Sequence, residues 1–475
     1  MERVKKFTVI LCGFWLLSLF FNGGGFTIAA RTGTDDGSER WGYVQVRPRA
    51  HMFWWYYKSP FRIEHPNKPW PIILWLQGGP GGSGVAIGNF EEFGPLDTNL
   101  KPRNSTWLRK ADLLFVDNPV GTGFSFVEDE KLLVKTDEEA ATDLTTLLKG
   151  LFNKNKALQN SPLHIFAESY GGKYAVTLAL SVLKAIKSKT LKLNLAGVTI
   201  GDSWISPEDF VFSWAPLLKD LSRIDNSGVE TANMLTQQIK KQIENGQFQE
   251  ATDTWNNLEN MILQTSNYVD FYNFLLDSAE EKVEGITVSS SSSTRSVVGG
   301  RTGLMQKYST YLESLRIKAS NGGDGVTSLP DLMNGHVKNK LKIIPPHVTW
   351  GFQAQYVFNA QSGDFMKPRI NEVDQLLAKG VNFTIYTGQV DLICSTKGTQ
   401  AWVEKLKWKG LKEFLNMDRT PLYCGDDKRT RGFTKSYRNL HFYWFLETGH
   451  FAPVDQPCVA LDMVGAITQS PVASK

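Results

Sequence analysis

Ser169 stands in Ala167-Glu168-Ser169-Tyr170-Gly171, between the apolar run 163–166 and a segment, 174–187, whose apolar positions recur at helical spacing. Strand, abrupt turn and helix together expose a serine hydroxyl at a sheet edge; the motif reads A-x-S-x-G, a nucleophile elbow with Ala in the first slot. A serine hydroxyl attacks a carbonyl when a base takes its proton, and the base needs a third group to hold its tautomer. Two further strand ends offer those groups. The run 381–386 leads through Thr387-Gly388-Gln389-Val390 to Asp391, and the run 440–445 leads through Glu447-Thr448-Gly449 to His450. Ser169 is then the nucleophile, His450 the base, and Asp391 the group that orients and stabilises the imidazolium. Of the seven histidines, His164 lies inside the elbow strand and His51 beside a strand of aromatics. His65, His336, His347 and His441 lack a strand-end glycine setting. No HExxH or cysteine–histidine cluster points to a metal, and no cofactor is expected.

The elements that would position these residues alternate along the chain. An apolar run, 70–76, enters the glycine-rich loop Gln77-Gly78-Gly79-Pro80-Gly81-Gly82-Ser83-Gly84, which lacks the Lys-Ser/Thr ending of a phosphate loop. Glycines there admit a substrate carbonyl close to backbone N–H groups. A strand at 111–117, a helix at 137–152, the elbow and a strand at 196–202 follow, preceded by two antiparallel strands at 42–46 and 52–57. This alternation predicts an α/β protein with a mostly parallel sheet and helices on both faces. The order Ser…Asp…His is that of the α/β-hydrolase fold. Residues 31–205 form its first part and 206–346 a helical cap insertion, with helices at 229–244 and 248–264. Residues 347–475 form the second part, with helices at 369–379 and 399–406 and the strands 381–386 and 440–445 completing the sheet. The Ser/Gly-rich stretch 285–303 within the insertion reads as a protease-accessible loop.

Composition sets the class. At 475 residues and 41% hydrophobic, with 14 Trp and 28 Phe, the chain can bury a large core and is not disordered. A net charge of +4 and the lack of basic runs interleaved with aromatics exclude nucleic acid as a partner. Arg3, Lys5 and Lys6, an apolar run at 7–21 and the small pair Ala29-Ala30 predict a signal peptide over 1–30. The run is shorter than the ~20 residues of a spanning helix, so no membrane association is expected after its removal. The destination is outside the cell or the lumen of a vacuole or lysosome. Cys12 leaves with the signal, and Cys394, Cys424 and Cys458 allow at most one intrachain disulfide. Cys424–Cys458 is the expected pair, leaving Cys394 free, with connectivity open. Asn104 and Asn382 begin glycosylation acceptor sequences, and Asn382 requires its strand end to be exposed.

Several ordered motifs together resemble the serine carboxypeptidase family. They are Trp75-Leu76-Gln77-Gly78-Gly79-Pro80-Gly81, Glu92-Phe93-Gly94-Pro95, the run from Asp117 to Ser125, Glu168-Ser169-Tyr170-Gly171-Gly172, Asp391-Leu392-Ile393-Cys394 and Gly449-His450. The match runs from about Gly42 to the C-terminus, weakest through the insertion. The glycine-rich loop is most similar to the retinoid-inducible branch and its plant carboxypeptidase-like relatives. The resemblance implies Ser169, Asp391 and His450 as the triad and the Gly79 and Tyr170 N–H groups as the oxyanion hole. It implies Gln77, Gly78, Glu92 and Glu168 around a substrate's terminal carboxylate. Two departures stand out: the family usually has Asn where Gln77 stands, and Cys where Gly82 stands.

The expected function is release of C-terminal amino acids from peptides or proteins through an acyl-enzyme at acidic pH. The rivals are an acyltransferase using acyl-glucose donors and a catalytically silent lumenal binding protein; retained Glu92 and Glu168 favour the peptidase. Two glutamic acids beside a bound carboxylate cannot all stay ionised, so at least one is expected to be protonated and to donate. Oligomeric state stays open between monomer and homodimer.

Overall fold

The computed structural model describes residues 32–65, 67–278 and 328–471. The stretch 1–30, expected to be a signal, and the stretch 285–303, expected to be a loop, lie outside the described residues. Its centre is a 12-stranded sheet in the order β1-β2-β3-β5-β4-β7-β8-β9-β12-β11-β10, with β6 paired to β3. The parallel middle comprises β5 (Asp112–Val116), β4 (Ile72–Leu76), β7 (Pro162–Glu168), β8 (Asn194–Gly201), β9 (Asn382–Gly388) and β12 (Leu440–Phe445). All five residues of β4 and of β5 are buried, as strands covered on both faces require. Antiparallel strands flank this middle. On one side lie β1 (Thr32–Gly33), β2 (Glu39–Arg47), β3 (Ala50–Tyr57) and β6 (Phe126–Val127); on the other, β10 (Thr420–Leu422) and β11 (Gly432–Tyr437).

Helices cover both faces, and this is the α/β-hydrolase architecture. The helix Asp137–Phe152 occupies the predicted span, with Thr136 capping it by accepting the Glu139 N–H. The helix Gly171–Lys187 starts directly after the elbow. Between β8 and β9 the described chain is helical, with Pro207–Asp220, Asn226–Glu244 and Phe248–Thr265 packing in succession. One expectation is corrected: the strand at 440–445 does not close the sheet. β11 and β10 continue it antiparallel, and Pro421 is tolerated because β10 is the outermost strand.

A buried ionic cluster ties the elbow helix to the segments around it. Arg369 donates from Nε to Asp137 Oδ2 at 2.8 Å, from Nη2 to Asp364 Oδ2 at 2.9 Å and from Nη1 to Glu138 Oε1 at 2.5 Å. Lys173 Nζ, fully buried, lies 3.5 Å from Asp137 Oδ2 and donates to the Asp364 and Phe365 carbonyls. Asp137 Oδ1 accepts the Tyr170 hydroxyl proton at 2.8 Å, so the cluster ends one residue from Ser169. Replacing one cation leaves carboxylates buried and uncompensated. Arg369→Met is therefore expected to cost about 3–5 kcal/mol of stability, measured by denaturant unfolding. A loss under 1 kcal/mol would show that Lys173 alone neutralises the cluster.

Candidate active site

Ser169 sits at the carboxyl end of β7 with φ +59°, the left-handed geometry of a sharp strand-to-helix turn. The turn is held by Ser169 N–H to Gly201 O at 3.0 Å and by Trp204 N–H to Ser169 O at 3.1 Å. Glycine makes the neighbouring loop fit. A Cβ on Gly78 would lie 2.5 Å from Ser169 Cβ, 2.9 Å from its Oγ and 2.8 Å from Tyr170 N. Gly79 follows at φ +119°, a backbone conformation that favours glycine.

The loop's fold is set by Asp117, just past β5. Its Oδ1 accepts from Ser83 Oγ at 2.6 Å and Val85 N–H at 3.2 Å, and its Oδ2 from Phe124 N–H at 2.8 Å. Further along, Gln353 Nε2 donates to Pro80 O and Ala354 N–H to Gly81 O, each at 2.9 Å.

Asp391 and His450 meet from two strand ends. His450 Nδ1–H donates to Asp391 Oδ2 at 2.8 Å, and both side chains are fully buried. This fixes the tautomer, so that Nε2, buried and without a hydrogen-bond partner, carries the free lone pair. Tyr272 packs its ring against the imidazole at 5.2 Å, and its carbonyl accepts the His450 N–H at 2.9 Å. Burial pushes the imidazole pKa down to about 4. Asp391, Cys394 and His450 bring donor atoms within 4.8 Å of one another, and a hydrogen bond already joins Asp391 to His450.

A second buried cluster adjoins the elbow. Gln77 Oε1 accepts from Trp75 Nε1 at 2.7 Å, and its Nε2 donates to Glu168 Oε1 at 3.0 Å. Glu92 lies against Glu168 and Gln77, yet neither of its oxygens nor Glu168 Oε2 receives an N–H or O–H in hydrogen-bond geometry. Burial raises both carboxyls: Glu92 to about 8, and Glu168, pressed further by Glu92 and Asp202, well above the usual range. Burial therefore favours the protonated form of the pair.

Of the remaining predicted residues, Cys424 and Cys458 form a disulfide and Cys394 is a buried free thiol. Asn104 and Asn382 are both exposed, the latter as the first residue of β9. Asp202, following β8, is a buried carboxyl beside Asp391, and in the sequence it marks no more than a strand end. A lone Asp after an apolar strand carries no motif, and its neighbour Asp391 is 189 positions away (391 − 202).

A family model described as serine carboxypeptidase matches residues 31–470. Serine carboxypeptidase-like 51 of Arabidopsis thaliana is 59% identical over 473 residues, covering 99% of this chain and 100% of its own length. Retinoid-inducible serine carboxypeptidase of Mus musculus is 44% identical, covering 97% and 98%. A solved prohormone-processing carboxypeptidase from Saccharomyces cerevisiae shares the fold with a TM-score of 0.71, at 21% identity and 92% coverage of each chain.

The contact at Gly78 yields a paired test. Gly78→Ala should displace Ser169 or Tyr170 N and lower kcat/KM by about 100-fold. Gly351→Ala, whose added carbon meets nothing within 4 Å, should leave it unchanged. Equal activity of the two variants would mean that the loop and elbow are not in working contact.

Proposed function

The chain belongs to the serine carboxypeptidase family, and from that premise we propose that it releases C-terminal amino acids from peptides through an acyl-enzyme on Ser169. Ser169 Oγ attacks the scissile carbonyl while His450 Nε2 takes its proton, and Asp391 stabilises the imidazolium. The Gly79 and Tyr170 N–H groups receive the oxyanion. His450 then protonates the leaving amine, which departs as a free amino acid, and water resolves the ester by the same steps in reverse.

The observation that carries this reading is the buried Glu92–Glu168 pair beside Gln77 and Gly78. A site for neutral esters gains nothing from two adjoining carboxyls in a dry wall. A protonated carboxyl donates to a terminal carboxylate, and a second ionised one would repel it. Gln77 stands in place of the family's usual Asn and reaches Glu168 directly, so the pair is held from the elbow side as well. The Cys424–Cys458 disulfide fits an oxidising lumen or the outside of the cell, as the N-terminal segment does. Among the described residues no helix is long and apolar enough to cross a membrane.

The two clusters bound the working pH. Burial lowers the His450 imidazole to about 4 and raises Glu92 to about 8, with Glu168 raised in the same direction. kcat/KM for a free-acid peptide should rise through the first value and fall through the second, as macroscopic limbs. The depressed value of His450 is what lets base chemistry proceed in acid.

Ser169→Ala should stay folded and lose about 10⁴-fold or more in kcat; near-wild-type turnover would remove Ser169 as nucleophile. Hydrolysis of one peptide as free acid, amide and ester, in wild type and Glu168→Gln, tests the carboxylate pocket. The amide should be cleaved about 10–100-fold less well than the acid. Glu168→Gln should lose activity less steeply with rising pH, because an amide donates at every pH. Equal cleavage of acid and amide would move an acyltransferase or a general esterase ahead.

A further inference from the structure

Asp202 stands where the ends of β8, β9 and β12 close on one another, with the Tyr386 ring packed against Gly201. A Cβ on Gly201 would lie 1.7 Å from the Tyr386 ring, and one on Gly388 would lie 2.1 Å from Gly449 O. In that narrow place Asp202 adopts φ +41°, which only a tightly held residue other than glycine keeps. Its N–H donates to Tyr386 O at 3.0 Å, and its Oδ1 accepts the Gly388 N–H at 2.7 Å. Its Oδ2 is buried and receives no N–H or O–H. The carboxyl rests against that of Asp391, whose Oδ2 takes His450 Nδ1–H and whose Oδ1 takes the Cys394 N–H at 3.3 Å.

The charges around this contact decide its state. Glu168, Tyr386, Asp391, Cys394 and His450 face Asp202, and Asp270 acts on Asp391 and His450 from further out. Among these groups no lysine or arginine occurs, and His450 is the one that can become a cation. Two touching carboxyls in a dry site cannot both be ionised, and a carboxyl donates only when it holds a proton.

We propose that Asp202 is a positioning residue that shares one proton with Asp391, donating it from Oδ2, and so holds the Asp391–His450 hydrogen bond in a single orientation. This rests on the reading of Ser169, His450 and Asp391 as the catalytic set. The shared proton leaves one negative charge beside the imidazole instead of two. A second charge would make His450 more basic and keep it protonated in acid, where it could no longer accept the Ser169 proton. Loss of that proton at high pH would set the two carboxylates against each other and turn Asp391 away from the ring.

The test uses a blocked ester substrate with no terminal carboxylate, so that the Glu92–Glu168 pair drops out, and compares wild type with Asp202→Ala, Asp202→Asn and Asp391→Asn. Wild type should show a fall in kcat at alkaline pH on the ester. Asp202→Ala should lower kcat by about 10–100-fold, the value of one hydrogen bond to a charged group, with little change in KM. Asp202→Asn should recover most of that loss and shift the alkaline fall upward by at least about one pH unit, because its amide donates at every pH. The Asn variant keeps the profile testable if the Ala variant fails to fold. A wild-type profile in Asp202→Asn, with Asp391→Asn inactive, would overturn the shared proton and leave the triad standing. Wild-type kcat in Asp391→Asn would overturn the triad and this inference together.

Discussion

A carboxylate taken out of water must find a cation, a set of N–H and O–H donors, or a proton, and this chain uses all three within one sheet edge. Asp137 and Asp364 are matched by Arg369 and Lys173. Asp117 is surrounded by the Ser83 hydroxyl and the Val85 and Phe124 N–H groups. Glu92 with Glu168, and Asp202 with Asp391, have fewer of either, and burial pushes each of them toward the protonated form. The first two solutions build scaffold: one anchors the elbow helix, the other the glycine-rich loop. The last two lie beside the proposed nucleophile and base. The division between structure and chemistry thus follows from how each buried charge is balanced.

The position of these groups is a property of the parallel sheet. Every candidate residue of the triad lies just beyond the carboxyl end of β7, β9 or β12, as ligand sites do in open α/β sheets. Glycines at 78, 201 and 388 let those ends approach until an added carbon would strike a neighbour. The segment after the helix Phe248–Thr265 then closes over the base: Phe271 O accepts the Leu392 and Ile393 N–H groups, and Tyr272 lies on His450. Burial of the imidazole, to which this contact contributes, lowers its pKa.

Much of this was legible before any coordinates. Buried parallel strands such as β4 and β7 announce themselves as continuous apolar runs, and the elbow, the helix Asp137–Phe152 and the two later strand ends carry local signals. What was not legible is what depends on distant partners. Nothing in the local sequence of β10 and β11 marks them as paired, because an edge strand is half exposed and tolerates Pro421. Arg369 and Asp137 meet across 232 positions, and Asp202 gains its meaning from Asp391 alone. Charge pairing of this kind has no periodicity to read.

The disulfide gives the base an unusual topological setting. Cys424 and Cys458 are 34 positions apart, and the ring of chain they close contains β11, β12 and His450. Closing such a loop removes about 4 kcal/mol of freedom from the unfolded chain in the entropic model. A peptide bond cut anywhere inside the ring would leave both fragments covalently joined, with His450 still tethered to the rest of the molecule. The proposed catalytic base is thereby carried on a segment that a single cut would not release.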